Sequence, residues 1–369
     1  MADAPAGKYL VDSYLDWCAR QDVPIIEEFG IDLLAADTRP WARFGINGAI
    51  AHLKGRCDFL SIFVFEIPPG GKSEPIRHLY EEVIYVLAGH GTTQVETADG
   101  KSHSFEWSPK SLFALPLNAR YRHFNGSGTE PVRLAATNDC RYMMNLYRNE
   151  GFIFDNPCAF PERSGQTDYF AGQGTFVELR PGRHQWETNF VPDLAAFELK
   201  EWAARGAGSK SIRFILAESS LGVHASEMPV GTYKKGHRHP PGYCVYAVTG
   251  QGYSLLWYEG DEDFERTDWR HGVVYAPPDM MFHQHFNAGP EPARYLAVQM
   301  GGVRYPMFQE KHRIFDGAVD TSLADGGNQI EYADQDPRIH ALFLDEITKN
   351  GVQSAMGQFI DESNFKRSA

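Results

Sequence analysis

Residues 231–250 read GTYKKGHRHPPGYCVYAVTG, and residues 272–287 read GVVYAPPDMMFHQHFN. The first stretch has the spacing Gly231-x5-His237-x-His239-x3-Tyr243-x6-Gly250; the second has Gly272-x5-Pro278-x4-His283-x3-Asn287. On a β-strand, side chains alternate between faces, so His237 and His239 point to one side. His283 belongs to a later strand that folds back beside them. Three imidazoles brought together from two strands fit one metal ion and leave coordination positions open. Open positions are the mark of catalytic rather than structural metal sites.

The pair of stretches resembles the two signature motifs of the cupin superfamily, G-x5-H-x-H-x3,4-E-x6-G followed by G-x5-P-x-G-x2-H-x3-N. The glycines, the proline, the three histidines and the closing asparagine match. Two positions depart: Tyr243 stands where the family has a glutamate ligand, and Met280 where it has glycine.

The pattern occurs twice in the chain. An earlier copy runs Gly70-x5-Ile76-x-His78-x3-Glu82-x6-Gly89, then Pro116-x4-Tyr121-x3-Asn125. The flanks repeat as well: His123-Phe124-Asn125 precedes Glu130-Pro131-Val132-Arg133, as His285-Phe286-Asn287 precedes Glu291-Pro292-Ala293-Arg294. A repeat with constant offset and shared flanks means two copies of one structural unit. The resemblance therefore implies an all-β bicupin: two tandem antiparallel β-barrels of the double-stranded β-helix, or jelly-roll, type with a few peripheral helices. The expected boundaries are 1–160 for the N-terminal barrel with a helical arm, 161–205 for the connection, 206–330 for the C-terminal barrel and 331–369 for a helical tail. In the first copy Ile76 and Tyr121 occupy the first and third histidine positions. His78 and Glu82 remain, with His123 two residues beyond the usual third ligand. The expectation is a metal in the C-terminal barrel and a hydrogen-bonded polar relic, or a degenerate second metal site, in the N-terminal one.

The bulk composition fits this organisation. A chain of 369 residues suits two domains, and 35 glycines with 22 prolines suit a turn-rich β protein. The formal net charge of −13, with no basic run, disfavours nucleic-acid and anionic-membrane partners. No apolar stretch approaches a membrane span, and residues 1–8 lack the pattern of a secretory signal. Cys18, Cys57, Cys140, Cys158 and Cys244 are odd in number and scattered, which reads as a reduced, cytoplasmic protein. A helix is expected over residues 7–21 and another after Asp336-Pro337, ended by Asn350-Gly351. Strands are expected over 59–67, 82–87, 91–96, 111–115, 132–136 and 174–179. Terminal helices at such a fold are consistent with a homo-oligomer.

The expected metal ligands are His237, His239 and His283, holding one divalent ion per chain. Fe(II) leads, with Mn, Ni, Zn and Cu as the other ions such a set accepts. Three neutral ligands leave the ion its full charge, which favours an anionic or chelating small-molecule substrate. Cupins with three-histidine centres include gentisate-type, diketone-cleaving and thiol dioxygenases. Resemblance to these implies an Fe(II)-dependent dioxygenase using O2. The alternatives are an oxygen-independent lyase, isomerase, hydrolase or decarboxylase, and a non-catalytic binding or regulatory protein. Tyr243 and His285 are the candidate catalytic side chains, set against a barrel-filling aromatic and a structural histidine respectively. Arg238 is expected to face outward. Met280, Phe282, Tyr246 and Trp257 are candidate walls or core, and Asn287 a brace for its turn. His52, His184, His224, His271, His312 and His340 have no ligand spacing and are expected at the surface or hydrogen-bonded in the core.

Overall fold

A computed structural model of the protein describes residues 11–54, 59–239, 242–305 and 320–364. Cys57 and His312 lie outside them.

The runs rich in β-branched and aromatic residues form strands, and four sheets result. In the N-terminal half, Ile25–Glu28, Ile46–Leu53, Ser61–Ile67, Val132–Asn138, Glu82–Ala88, Leu112–Ala114 and Phe190–Val191 are hydrogen-bonded in that order, with Arg39–Trp41 pairing Ile46–Leu53. A three-stranded sheet, Arg120–Asn125, Gly91–Glu96 and Ser102–Trp107, packs against it. The C-terminal half repeats the plan. Its large sheet runs Thr175–Arg180, Arg183–Thr188, Lys210–Leu216, Leu221–Met228, Ala293–Met300, Cys244–Thr249, Val273–Tyr275 and Gly30–Asp32, with Lys200–Glu201 pairing Lys210–Leu216. Its small sheet is Glu265–Arg270, Gln251–Trp257 and Phe282–Asn287. Each half is thus a two-sheet jelly roll. Among the described residues the sheets stay open rather than closing into the barrels expected from the sequence.

The halves exchange strands. Phe190–Val191, from the stretch between the histidine motifs, pairs Leu112–Ala114 in the N-terminal sheet. Gly30–Asp32, near the start, pairs Val273–Tyr275 in the C-terminal sheet. Residues 161–205 therefore supply strands rather than acting as a bare linker. Only Thr175–Arg180 among these was expected.

Strand alternation divides the core. In Ser61–Ile67, Ile62 and Val64 face a core shared with the other half, while Phe63, Phe65 and Ile67 fill the N-terminal interior. In Leu221–Met228, Leu221, Val223 and Ala225 join that shared core. The alternate positions are Gly222, His224 and Ser226. A strand buried on both faces reads as a continuous apolar run; this one is interrupted on the face that looks into the C-terminal interior.

The helices are peripheral. Of the helix expected over 7–21, residues 7–10 lie outside the described residues; the rest forms Ser13–Ala19, which places Tyr14, Trp17 and Cys18 in the N-terminal core. Pro337–Lys349 starts where expected: the Asp336 side chain accepts from the Arg338 N–H, and Pro337 occupies the first turn. Its Ile339, Phe343 and Ile347 pack on Tyr233 and Phe286. Among the described residues no helix is long and apolar enough to cross a membrane.

Candidate metal centre

The chain leaves the large C-terminal sheet after Met228 and runs beside Phe282–Asn287. Tyr233 bridges Phe286 and the Lys234 N–H donates to the His285 carbonyl, yet His237 bridges His283. Three residues on one strand thus span two on its partner, which is a β-bulge at Lys235 and Gly236. The bulge turns both Lys234 and His237 inward, although they are three positions apart.

His237, His239 and His283 each bring a ring nitrogen within 4.8 Å of the others. His237 and His283 are buried and His239 half-buried. The Nδ1 of His237 lies 3.3 Å from the Lys235 carbonyl, and that of His283 lies 3.1 Å from the Met281 carbonyl. Each Nδ1 must donate there, so each Nε2 carries a lone pair, the tautomer a metal ligand needs. Burial, then the charges of Arg205 and the neighbouring histidines, holds the His237 imidazole well below its usual range; burial followed by His239 and His285 does the same for His283. Neutral imidazoles with oriented lone pairs fit a divalent first-row ion.

Tyr243, half-buried, sets its ring 4.8 Å from that of His239 and 5.2 Å from His224. The His285 ring lies 5.5 Å from His283 and 5.1 Å from Tyr295. Its Nδ1 is fixed by Ser254 Oγ at 2.8 Å and Tyr275 Oη at 3.0 Å, and Trp269 donates to the same Ser254 oxygen. The N-terminal half keeps this arrangement: Trp107 donates to Thr93 Oγ1, which holds His123 Nδ1 at 2.8 Å. The relay is therefore part of the fold in both halves, with or without the three histidines.

The remaining expected residues separate clearly. Arg238 points outward to Asn328 and Glu259. Met280 is 37 % exposed and not core. Phe282 stacks on Trp257, and Tyr246 lies in the core between the halves, hydrogen-bonded to Thr137. Asn287 braces its turn by donating to the Met228, Pro229 and Glu291 carbonyls. His52, His271 and His340 hydrogen-bond to Tyr14, Leu87 and Tyr233. His184 lies 3.9 Å from Glu178.

Sequence reasoning missed several residues of this interior. Lys234 is fully buried and donates to Ser226 Oγ and, at 3.0 Å, to Tyr295 Oη. Arg205 is 3 % exposed, ion-paired with Asp320 at 3.3 Å and hydrogen-bonded to Gln329. The Trp202 ring lies between Arg183 at 4.0 Å and Arg205 at 4.7 Å. His224 carries its ring against Tyr243 and Tyr295. The repeat was the signal that would have found them. At the corresponding positions of the first copy stand Ser73 for Lys234, Phe65 for Ser226, Leu134 for Tyr295, Phe44 for Arg205 and Phe63 for His224.

In that first half, Tyr121 Oη lies 2.9 Å from His78 Nε2 and donates to Glu82 at 2.9 Å. The residue at the third ligand position thus bridges the two ligand-type side chains that remain. His78 Nδ1 donates to the Tyr80 carbonyl at 2.8 Å, and the two rings stack at 3.6 Å. Among the described residues, His237, His239 and His283 are the one group gathered closely enough for a metal.

Residues 63–137 match the family model described as Cupin domain. This cupin match falls on the half that lacks the three histidines. No curated protein matches the chain. Solved structures with a similar course include the oxalate decarboxylase of Lactobacillus farciminis in a formate complex, at 13% identity, covering 80% of this chain and 94% of that one with a TM-score of 0.49. The oxalate decarboxylase of Bacillus subtilis at pH 4.6 matches at 13% identity over 76% and 78% of the two chains, TM-score 0.47. Another structure of the Bacillus subtilis enzyme, from a study of its Mn(II) centres, matches at 14% over 76% and 79%, TM-score 0.47.

Proposed function

We propose that this chain is a metal-dependent cupin enzyme acting on a small anionic, chelating substrate without consuming oxygen, as a lyase, isomerase or decarboxylase. The observation that carries the reading is the convergence of His237, His239 and His283, with both fixed lone pairs, on one point inside the C-terminal half. A divalent ion there, manganese or iron foremost, supplies Lewis-acid activation of a bound carboxylate, carbonyl or hydroxyl oxygen. The chain itself supplies proton handling. The His285 imidazole is held by two hydroxyls beside the three histidines, and the Tyr243 hydroxyl belongs to the half-buried ring next to His239. Burial keeps His285 well below the usual histidine range, with Lys234 and Arg205 adding to the effect, so its ring is held neutral. Leu256, paired opposite His283 in the small sheet, is buried on the face that carries the histidines.

A second reading, an Fe(II)-dependent dioxygenase, is favoured by one feature: Tyr243 replaces a carboxylate, so the histidine set is wholly neutral. One experiment separates the two. Protein is purified anaerobically with Fe(II) or Mn(II), its metal content is measured by mass spectrometry, and turnover of small hydroxy- and keto-carboxylates is followed with and without O2. One metal per chain and undiminished anaerobic turnover support the first reading. Stoichiometric oxygen uptake replaces it with the second. His283→Ala is expected to lose the metal and all activity; full metal content in that variant sinks the ligand assignment.

A further inference from the structure

The charges that act on His224 and Lys234 inside the C-terminal half are basic. The neighbours that depress His224 after burial are Arg213, Lys234, Arg183 and His239; those that depress Lys234 after burial are Arg205 and Arg183. Asp320 is the carboxylate paired here, and it pairs Arg205. Arg213, half-buried and paired in register with His224 on the neighbouring strand, has no hydrogen bond or ion pair among the described residues. Lys234 is 0 % exposed; its Nζ donates to two neutral hydroxyls and lies 4.6 Å from the Tyr295 ring, with no carboxylate partner among the described residues. A buried amine without an anion is costly in a folded protein and needs a compensating partner.

The hydrogen-bond count points the same way. Ser226 donates its own proton to the Lys210 carbonyl at 2.8 Å, so it accepts from Lys234. As an ammonium, Lys234 donates to Ser226 and Tyr295 and keeps one N–H unused. As a neutral amine it accepts from Tyr295 and still keeps one N–H unused. In either state one N–H of Lys234 is left without an acceptor among the described residues. The first half of the molecule is the internal control: it lacks the three histidines, and Ser73, Phe65 and Leu134 replace Lys234, Ser226 and Tyr295.

We propose that Lys234 and Tyr295 seat an anionic oxygen group of the substrate, so that the substrate is a small dianion: one carboxylate for this seat, and separate oxygen donors for the three-histidine centre. The proposal rests on the reading of the C-terminal interior as a substrate site and names the class of molecule it takes. The bulge between Lys234 and His237 puts both side chains on the inner face of the C-terminal half, where the His285 ring lies 5.1 Å from Tyr295 and 5.5 Å from His283. Lys234 is a specificity residue here, and Arg205 and Trp202 position it by charge and packing, with Lys234 Nζ 5.9 Å from the Trp202 ring.

The test uses the full chain, metal-loaded, with malonate and acetate as probes and metal content measured on every sample. Wild type is expected to bind malonate at least ten-fold more tightly than acetate by calorimetry. Lys234→Met should retain its metal and lose malonate affinity by roughly 10- to 100-fold, as expected for a charge-assisted hydrogen bond, with acetate binding unchanged. Lys234→Arg should recover part of the loss. Tyr295→Phe removes one hydroxyl and keeps the ring; a several-fold loss is expected, and it carries the test if Lys234→Met does not fold. Equal malonate affinity in wild type and these variants, or no preference for malonate over acetate, overturns the proposal. If wild type holds no metal yet binds malonate through Lys234, the metal reading fails and the anion seat stands.

Discussion

At the scale of single residues, one phenol separates the two halves chemically. Tyr121 stands at the position of His283 and bridges His78 and Glu82 with its hydroxyl. Removing that oxygen in Tyr121→Phe leaves two buried polar groups short of a partner, and about 1–3 kcal/mol of stability should be lost. Chemical denaturation measures the loss, and metal analysis should read the same content as wild type. A second metal per chain in the variant would show that the phenol blocks a latent site. The sequence made the three histidines legible because their spacing is a strand periodicity. Lys234 was not legible from strand alternation, because three residues before His237 is the opposite face of a regular strand; comparison with Ser73 of the first copy is what marks it. The bulge at Lys235 and Gly236 reverses that parity, and no composition signal announces it.

Among the elements, the turn before Phe282–Asn287 carries the clearest strain. Met280 has φ +54°, and its N–H donates to the His239 carbonyl, tying together the two segments that bear histidines. The equivalent residue of the first half, Asn118, has φ +58°, a conformation asparagine tolerates and methionine does not. Met280→Gly is expected to raise stability by up to about 1 kcal/mol, since the exposed side chain gives up little packing. A fall in thermal midpoint would mean that the methionine packs on something beyond this chain. Strands flanking the histidine motifs were readable from alternation and turn residues. Arg183–Thr188, Phe190–Val191 and Lys200–Glu201 were not, because no motif anchors their register and their apolar residues serve cores made elsewhere.

For the whole molecule, the joint between halves includes a buried carboxylate pair. Glu81 takes Arg163, Ser219 Oγ at 3.0 Å and the Ser220 N–H at 2.7 Å, joining the N-terminal half to a turn of the C-terminal one. Asp139 accepts the Glu81 N–H at 2.7 Å. Burial, then the Glu81 charge, pushes the Asp139 carboxyl up to about 8. A carboxyl raised on folding keeps its proton in the folded state where the unfolded chain has lost it. Its contribution is complete below the unfolded value near 4 and is lost as pH rises towards 8. Asp139→Asn keeps the accepting oxygen and removes the titration. Stability measured from pH 5 to 9 should therefore fall less with pH in the variant than in wild type; parallel curves would remove Asp139 from the account. That the chain has two halves was legible from the repeat. That they share one core was not, since alternation alone does not say what a second buried face meets.

The exchanged strands bear on how the protein is made. Gly30 finds its partner Tyr275 only after most of the chain has left the ribosome, and Leu112–Ala114 waits for Phe190–Val191. Neither large sheet is finished by its own half, so an emerging N-terminal jelly roll presents an open edge and an uncovered apolar face during synthesis. Pairings this distant in sequence also make for slow folding. Yield in a host should therefore follow translation speed and chaperone supply more closely than the stability of the finished molecule does.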